Sequence, residues 1–432
     1  MKKALFVWFL CPVLLWPVSQ PRVFSPVPIA TNTVINLETA PCDERCLERL
    51  LQEERLFSFL ARYENAGQNR PLQEAYQRYS GFFNLGVPAS SGVRMAVLIP
   101  SDVIGRYSVM VAGSVSAYLL SKNEPFELRV FDSIDESPQN LTRAIAELEA
   151  AGFKRVLAAL TAEGAETLAR LPVNAEVFIP TVNRSELSVN PGANLFFGGI
   201  DYAQQLGALS RYQGGERTIA FDEPIPLSQK ISAQADATCP VPPVRITINN
   251  PRINFSNLFK TEGVEHNTTL LLNTQPVRTS LILSQVTFND INISAALSTQ
   301  INFNPLILTL TQNEDVEKFY VASAIGESNK ELREMNALMQ NDLRFNWIPY
   351  ATTVLADLIN QRQRGDFSTQ SKQFKLTLID NQIQYPVTVY QIRGGRFIPA
   401  PPPQMPAEQI SSAHHPSVLG VPPPPAPAPL LP

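Results

Sequence analysis

The segment Met95–Leu120 reads MAVLIPSDVIGRYSVMVAGSVSAYLL and carries the clearest architectural signals in the chain. It opens with a short apolar run that ends at Pro100, which is typical of a buried β-strand. A polar loop with Gly105 follows, and from Ser108 the apolar residues recur at helical spacing. A strand, a loop and a helix in this order form the repeating unit of parallel α/β sheets.

The same alternation continues along the chain. Further strands are predicted at ELRVFD, KRVLAAL, EVFIPTVN and ANLFFGGI, with helices between most of them. A second, less regular series includes RTIAFDE, VRITINN, TTLLLNT, PLILTLT and KFYVASAI. Apolar strands separated by amphipathic helices predict parallel sheets with both faces covered. We therefore predict an α/β protein with two doubly wound lobes and right-handed crossovers.

Composition shifts and turn signals divide the chain into six segments. They are a signal peptide (1–20), a helical hairpin (41–88), lobe 1 (93–215, with 344–365 crossing back), lobe 2 (216–343), C-terminal strands (366–399) and a Pro-rich disordered tail (400–432). The tail is expected to lack helices and strands, because proline cannot donate to helix or sheet ladders. Such a segment fits either a spacer or a docking ligand. The hairpin is read as two amphipathic helices, whose apolar faces must be covered by the main body or by a partner.

Residues 1–20 have the pattern of an export signal. Lys2 and Lys3 precede an apolar run that is short and interrupted by proline, and a membrane span needs about 20 apolar residues. No clean cleavage triplet follows, so a retained anchor is the alternative to cleavage. We expect a periplasmic protein, either free or held at the membrane by this segment.

Cys42 and Cys46 lie four residues apart at the start of a predicted helix. This spacing brings them to one face, and an export route leads to an oxidising compartment where thiols pair. We predict a disulfide, provided that Cys42 lies outside regular helix geometry. A metal site is disfavoured because about four ligands are needed and no histidine or third cysteine is near. Cys239 is left either free or intermolecular.

Charge and motifs argue against several function classes. The net charge is −4 without a basic stripe, so no nucleic acid partner is expected. The chain has three histidines, His266, His414 and His415, and lacks the GxSxG, HExxH, Walker and GxGxxG patterns. We expect a non-enzymatic protein with no cofactor and no metal.

Two α/β lobes behind an export signal resemble the type I periplasmic binding proteins, whose ligand cleft lies between two doubly wound lobes. Met95–Leu120 is similar to the first strand, cleft loop and first helix of that family, including Gly105 and Gly113. FIPTVNRSELSVNPGANLFFGGIDYAQQLGAL resembles the segment that closes the first lobe. Its matching residues are Pro180, Asn183, Asn194, Phe196, Gln204 and Gln205. NWIPYATTVLADLI is similar to the late helix that returns to the first lobe, and the resemblance spans Val93–Pro399.

Two branches of this family imply different functions. The loop TVNRSE departs from the Ser/Thr-rich loop of amino-acid receptors and looks more like that of penicillin-binding-protein activators, whose core contacts a peptidoglycan synthase. The resemblance then implies a scaffold or regulator in the envelope of a Gram-negative bacterium, with a protein partner. The alternative is a periplasmic receptor that binds a small polar ligand, an amino acid or peptide, for an ABC transporter.

Candidate binding residues follow the predicted strands, because ligands of open parallel sheets bind beyond the carboxyl ends of the strands. In the first lobe they are Ser101, Asp102, Thr161, Glu163, Thr181, Asn183 and Arg184. In the second lobe they are Ser284, Gln285, Thr311, Gln312 and Ser323. Ser101 and Thr161 fit helix capping at least as well as ligand contact, since short hydroxyl side chains are common N-caps.

Overall fold

The computed structural model describes residues 32, 34–63, 69–83, 85, 93–122, 124, 126–215, 217–239, 241–250, 253–371, 373, 374 and 376–402. The predicted signal segment and residues 403–432 of the predicted tail lie outside this set. No helix in the described ranges is long and apolar enough to span a membrane. The chain divides into a helical unit, which includes Val34 and the described residues between 42 and 85, and a core unit, which includes 35–41 and the described residues from 93 onward.

The helical unit has three helices where the sequence predicted two. They are α1 (Glu44–Gln52), α2 (Leu56–Arg62) and α3 (Arg70–Phe82). The first predicted helix is broken because Glu54 adopts a positive φ of 56°, and the Arg55 N–H donates to Leu50 O at 2.9 Å. This is the hydrogen-bond pattern of a Schellman C-cap. The helices share an apolar cluster that includes Leu47, Phe59 and Leu72.

Cys42 and Cys46 form the predicted disulfide, with their Cα atoms 5.2 Å apart. Asp43 is the N-cap of α1 and accepts a hydrogen bond from the Cys46 N–H at 2.9 Å. Cys42 therefore precedes the helix, and this position brings the two Cα atoms within bonding range. The Cys239 thiol is free, and burial raises its pKa.

The first lobe starts the core unit. Its first strands are β1 (Val93–Ile99), β2 (Phe126–Asp132), β3 (Arg155–Ala158), β4 (Glu176–Ile179) and β5 (Leu195–Phe197). Its first helices are α4 (Ser101–Ile104), α5 (Tyr107–Ser121), α6 (Pro138–Ala150) and α7 (Ala162–Ala169). The strands pair in parallel, as the sequence predicted, and their order is β5-β4-β3-β1-β2.

The second lobe repeats this plan. Its strands are β6 (Arg217–Asp222), β7 (Val244–Thr247), β8 (Thr268–Asn273), β9 (Ala295–Ser298) and β10 (Phe319–Ser323). Its helices are α8 (Tyr202–Leu209), α9 (Pro226–Thr238), α10 (Phe255–Glu262), α11 (Pro276–Phe288), α12 (Pro305–Leu310) and α13 (Lys330–Leu338). The parallel order is β7-β6-β8-β9-β10.

The C-terminal segment serves both lobes. It comprises α14 (Trp347–Gln363), β11 (Thr377–Ile379), β12 (Gln382–Gln384), β13 (Thr388–Arg393) and β14 (Arg396–Pro399). The hairpin β11-β12 extends the first sheet beyond β5, and the hairpin β13-β14 extends the second sheet beyond β10. The two predicted α/β lobes are therefore confirmed, each with a seven-stranded sheet.

Alternating residues of β1 show how the first sheet is covered. Met95 and Val97 belong to an apolar cluster with residues of α5 and α14, whereas Ala96 and Leu98 cluster with residues of α6 and α7. Successive side chains of a strand point to opposite faces, so helices cover both faces of the sheet. The Tyr118 hydroxyl of α5 donates to the Asp357 carboxylate of α14 at 2.8 Å, which joins the two helices on one face.

One predicted strand is wrong. PLILTLT was assigned to a strand, but Pro305–Leu310 is α12, and the strand of this repeat is β9, which the sequence analysis did not identify. The Asn304 side chain caps the helix by accepting from the Leu306 N–H at 2.9 Å, and Pro305 occupies a first-turn position that suits proline. A short apolar run does not distinguish a strand from a helix by periodicity alone.

Candidate functional site

The carboxyl ends of the two sheets face each other within the core unit. Glu186, which follows β4 of the first lobe, forms an ion pair of 2.6 Å with Lys230 of α9 in the second lobe. The ammonium of Lys230 also lies 5.5 Å from the ring centre of Tyr202. Burial raises the pKa of Tyr202, and the Glu186 carboxylate adds to this effect. The loop after β4 and the start of α9 therefore meet between the two lobes.

Asp132 joins the loops that follow β1 and β2. Its carboxylate accepts from the Ser101 hydroxyl at 2.7 Å, from the Ser101 N–H at 3.2 Å and from the Ile134 N–H at 2.7 Å. The predicted neighbour Asp102 has an exposed side chain, and its N–H donates to Ile134 O at 2.8 Å. The Ser101 hydroxyl is thus bound to another loop of the same lobe.

Glu136 accepts hydrogen bonds from the loop after β3, as Asp132 does from the loop after β1. Its carboxylate accepts from the Thr161 N–H at 2.6 Å and from the Thr161 hydroxyl, while that hydroxyl oxygen caps α7 by accepting from the Gly164 N–H at 3.2 Å. A Cβ at Gly164 would lie 2.2 Å from Glu136 Cδ, so the carboxylate occupies the space of a side chain. Glu163 is exposed on the first turn of α7.

The loop after β4 is bonded to neighbouring backbone. The Thr181 hydroxyl donates to Leu160 O at 2.6 Å. Asn183 is buried and forms a capping box with Glu186, in which the Asn183 N–H donates to the Glu186 carboxylate at 2.9 Å and Asn183 Oδ1 accepts from the Ser185 N–H at 3.0 Å. These groups fix the conformation of the loop.

Arg184 connects this loop to the hairpin β11-β12. Its N–H donates to Gln382 Oε1 at 2.8 Å, and its guanidinium donates to Asp380 O at 2.6 Å and to Asn190 Oδ1 at 3.1 Å. A basic side chain that sequence reasoning placed in a binding loop therefore holds two parts of the first lobe together.

Four candidates of the second lobe lie away from the carboxyl ends of its strands. Ser284 and Gln285 are on α11, and Thr311 and Gln312 follow α12 rather than a strand. A crossover helix runs antiparallel to its strands, so its second half lies toward their amino ends. Asp315 accepts from the Ser284 hydroxyl at 2.7 Å and from the Gln312 N–H at 3.0 Å, which closes the loop. The Thr311 hydroxyl donates to Ile307 O at 2.6 Å.

Ser323 does end a strand, but it is fully buried and accepts from the Ile325 N–H at 3.1 Å. The sequence analysis missed Asp222 at the end of β6, whose carboxylate accepts from Ser232, Arg245 and Asn273 at 2.6, 2.6 and 2.9 Å. The acidic residues that close the strand RTIAFDE were a usable signal for this position.

Gln300 follows β9 and was also missed. Its side-chain carbonyl accepts from the Ala324 N–H at 2.7 Å, and its N–H donates to Gln205 Oε1 at 2.8 Å. The Gln300 amide nitrogen and the Thr299 hydroxyl are buried without a hydrogen-bond partner, as is the Ser133 hydroxyl after β2 in the first lobe.

Within the described part of the chain, no group of three or more His, Cys, Asp and Glu side chains has the arrangement of a metal site. His266 lies in the second lobe, and its Nδ1 accepts from the Asn292 N–H at 2.9 Å. This contact gives the histidine a structural partner.

No protein-family model and no curated protein sequence matches this chain. An extracellular ligand-binding receptor from Desulfohalobium retbaense aligns with a TM-score of 0.51 and 12% identity, over 72% of this chain and 59% of the receptor. The chain thus spans less than two thirds of that protein. A putative branched-chain amino acid ABC transporter protein from Rhodospirillum rubrum aligns with a TM-score of 0.53 and 12% identity, over 72% of this chain and 100% of its own.

Full-length LpoA from Haemophilus influenzae aligns with a TM-score of 0.52 and 14% identity, over 80% of this chain and 69% of LpoA. Its C-domain, described as belonging to a regulator of PBP1A, aligns with a TM-score of 0.50 and 13% identity, over 71% of this chain and 99% of the domain. These neighbours are described as binding or regulator proteins rather than as enzymes. At such identities the likeness concerns architecture, and the chain has the two-lobed fold of the type I periplasmic binding proteins.

Proposed function

We propose that this chain is a non-enzymatic recognition protein of the bacterial periplasm, and that its two-lobed core is a platform for a protein partner in the cell envelope. The fold by itself does not decide this, because a transporter binding protein and a regulator of PBP1A share it. The supporting observation is that five of the seven side chains predicted for binding in the first lobe are hydrogen-bonded within that lobe, namely those of Ser101, Thr161, Thr181, Asn183 and Arg184.

A receptor for a small polar solute needs donors and acceptors that point into its groove. Here the side chains of Ser101, Thr161, Thr181 and Arg184 are hydrogen-bonded to other parts of the same lobe. A ligand that captured one of them would leave a partner such as Asp132 with a lost hydrogen bond, and such a loss costs about 1–3 kcal/mol. These groups therefore suit a preformed surface better than a ligand cradle.

One observation favours the alternative of a small-ligand receptor. The Thr299 hydroxyl and the Gln300 amide nitrogen are buried and unpaired at the carboxyl end of β9. A solute bound on the second lobe would satisfy both groups. This alternative predicts that a Thr299→Val substitution lowers affinity for the solute.

Chemical crosslinking in intact cells tests the partner role. The full-length tagged chain is expected to yield one reproducible envelope protein in near-stoichiometric amount. A type I solute receptor with the same tag and expression level is the matched control for adducts that arise from the fold alone. Recovery of the same proteins with both baits, or of none with this chain, would contradict the proposal.

A further inference from the structure

A short segment from the helical part of the chain lies on the core. Residues Ile35–Pro41, here called the strap, group with the core unit, although Val34 and Cys42 on either side belong to the helical unit. Ile35 packs against the main apolar cluster of the core. The strap contains no helix and no strand, so its position comes from side-chain contacts and local bonds.

The strap covers the carboxyl end of β1. Leu37, Glu38, Thr39 and Ala40 line a pocket of about 340 Å³, whose other wall is formed by Ile99, Ser101, Ser108 and Val109. Ile99 is the last residue of β1, and the other three residues lie at the starts of α4 and α5. The contact is therefore with the first strand–loop–helix unit of the first lobe.

This end of β1 is the topological switch point of the first sheet. In the sheet, β1 lies between β2 and β3. The chain therefore continues to β2 on one side of β1 and later returns to β3 on the other side. Open α/β sheets bind their ligands at this position, beyond the strand ends. The strap consequently occupies the place in the first lobe that an incoming molecule would contact.

The strap fits this surface loosely. Leu37 keeps 40% of its surface exposed, and the pocket separates the strap from the lobe. Protein interiors contain few voids larger than a water molecule, so this packing is weaker than that of a core element. Segments with few buried apolar contacts open at low free energy.

The surface under and around the strap is apolar. Val103, Tyr107, Val109 and Ile134 are exposed large apolar side chains on α4, on α5 and on the loop after β2. The bond between the Asp102 N–H and Ile134 O holds this loop beside α4. Contiguous exposed apolar side chains mark interaction surfaces. An extended segment with more apolar residues than the strap would cover more of this apolar surface.

We propose that the carboxyl end of β1 is a docking surface for an extended, apolar peptide segment of a partner protein, and that the strap occupies this surface in cis. The strap shows the chemistry of the occupant, because Leu37 and Ala40 are apolar and Glu38 and Thr39 between them are polar. This inference deepens the proposed platform role and rests on it for the protein nature of the partner. A partner segment binds by displacing the strap.

A synthetic peptide of residues 33–41, TVINLETAP, tests the inference with the full-length protein. In one variant, Leu37, Glu38, Thr39 and Ala40 are all replaced by glycine. We expect this variant to bind the fluorescent peptide at least tenfold more tightly than the unaltered chain, as measured by anisotropy. The tethered strap competes in the unaltered chain at an effective concentration of order mM. The milder variant Leu37→Asp is expected to change affinity in the same direction.

Two further substitutions in the glycine variant locate the binding. Val109→Asp is expected to weaken peptide binding at least tenfold, whereas Val277→Asp on α11, which changes a similarly exposed valine, is expected to leave it unchanged. A folded glycine variant that binds the peptide no better than the unaltered chain, or binds it regardless of Val109→Asp, would overturn the inference. Such a failure would leave the crosslinking result for the full chain as a separate test of the platform role.

Discussion

At the scale of single residues, acidic side chains organise the strand ends of both lobes. Asp132 and Glu136 bind loops of the first lobe, and Asp222 holds three side chains of the second. Each carboxylate accepts several hydrogen bonds from groups that a binding protein could have offered to a ligand. These carboxylates therefore hold the loops and side chains at the strand ends in place.

Asp222→Asn tests this role. Asp222 is buried, and its carboxylate faces the partly buried guanidinium of Arg245 at 2.6 Å. We expect the free energy of unfolding to fall by about 2 kcal/mol, because a charged hydrogen bond is lost. Asp236→Asn removes the more exposed partner of the same arginine, so its effect is expected to stay below about 1 kcal/mol. Urea unfolding measures both changes, and equal effects would contradict the role of Asp222.

Glu127 gives a pH-dependent prediction. Burial raises the pKa of Glu127, but hydrogen bonds and charges from Arg94 and Arg129 outweigh burial and hold this pKa below its usual 4.5. A carboxyl with a lowered folded-state pKa stabilises the fold above its unfolded-state pKa, and this stabilisation is lost as the pH falls through the folded-state value. Glu127→Gln is therefore expected to destabilise the protein at pH 7 and progressively less below about pH 4.5. A difference in unfolding free energy that stays constant between pH 7 and pH 3 would contradict this cause.

At the scale of elements, sequence periodicity predicted most strands of the first lobe and their parallel pairing. It did not separate α12 from a strand, because a short, mostly apolar run fits both. It also missed β9, whose four residues AALS give too short a signal. The break between α1 and α2 depends on the left-handed backbone conformation of Glu54. The pattern of side chains around Glu54 does not predict this conformation.

The segment that leaves β5 toward the second lobe passes close to the backbone of the loop after β4. A Cβ at Gly199 would lie 2.2 Å from the backbone N of Asn183, whereas a Cβ at Gly207 in α8 would meet nothing within 4 Å. We expect Gly199→Ala to lower the free energy of unfolding by about 2 kcal/mol or more, because backbone must move. Gly207→Ala is expected to raise it by about 0.5–1 kcal/mol, as alanine favours a helix. Thermal melting compares the two, and a tolerated Gly199→Ala would show that this segment is less constrained.

At the scale of the whole core, the two lobes could be predicted from sequence, but the pairs that join the strand-end groups could not. Ser101 and Asp132 are 31 residues apart, and Arg184 and Asp380 are 196 apart. A polar side chain directly after a strand is expected both for loop or helix capping and for ligand binding. The sequence therefore does not tell which of the two roles a candidate residue has. Only the positions of the partners show that Ser101, Thr161, Thr181 and Arg184 are already paired.

The melting temperature of the purified chain across a panel of amino acids, short peptides and sugars at 1 mM tests most directly whether the core serves a protein partner rather than a small solute. A solute with a Kd of about 1 μM would add about 4 kcal/mol of stability at this concentration, which shifts the melting temperature by several degrees. For a platform that binds a protein partner, we expect no amino acid or sugar to shift the melting temperature by more than about 1 °C. A rise of several degrees with one amino acid or sugar, abolished by Thr299→Val, would contradict it and establish a solute receptor.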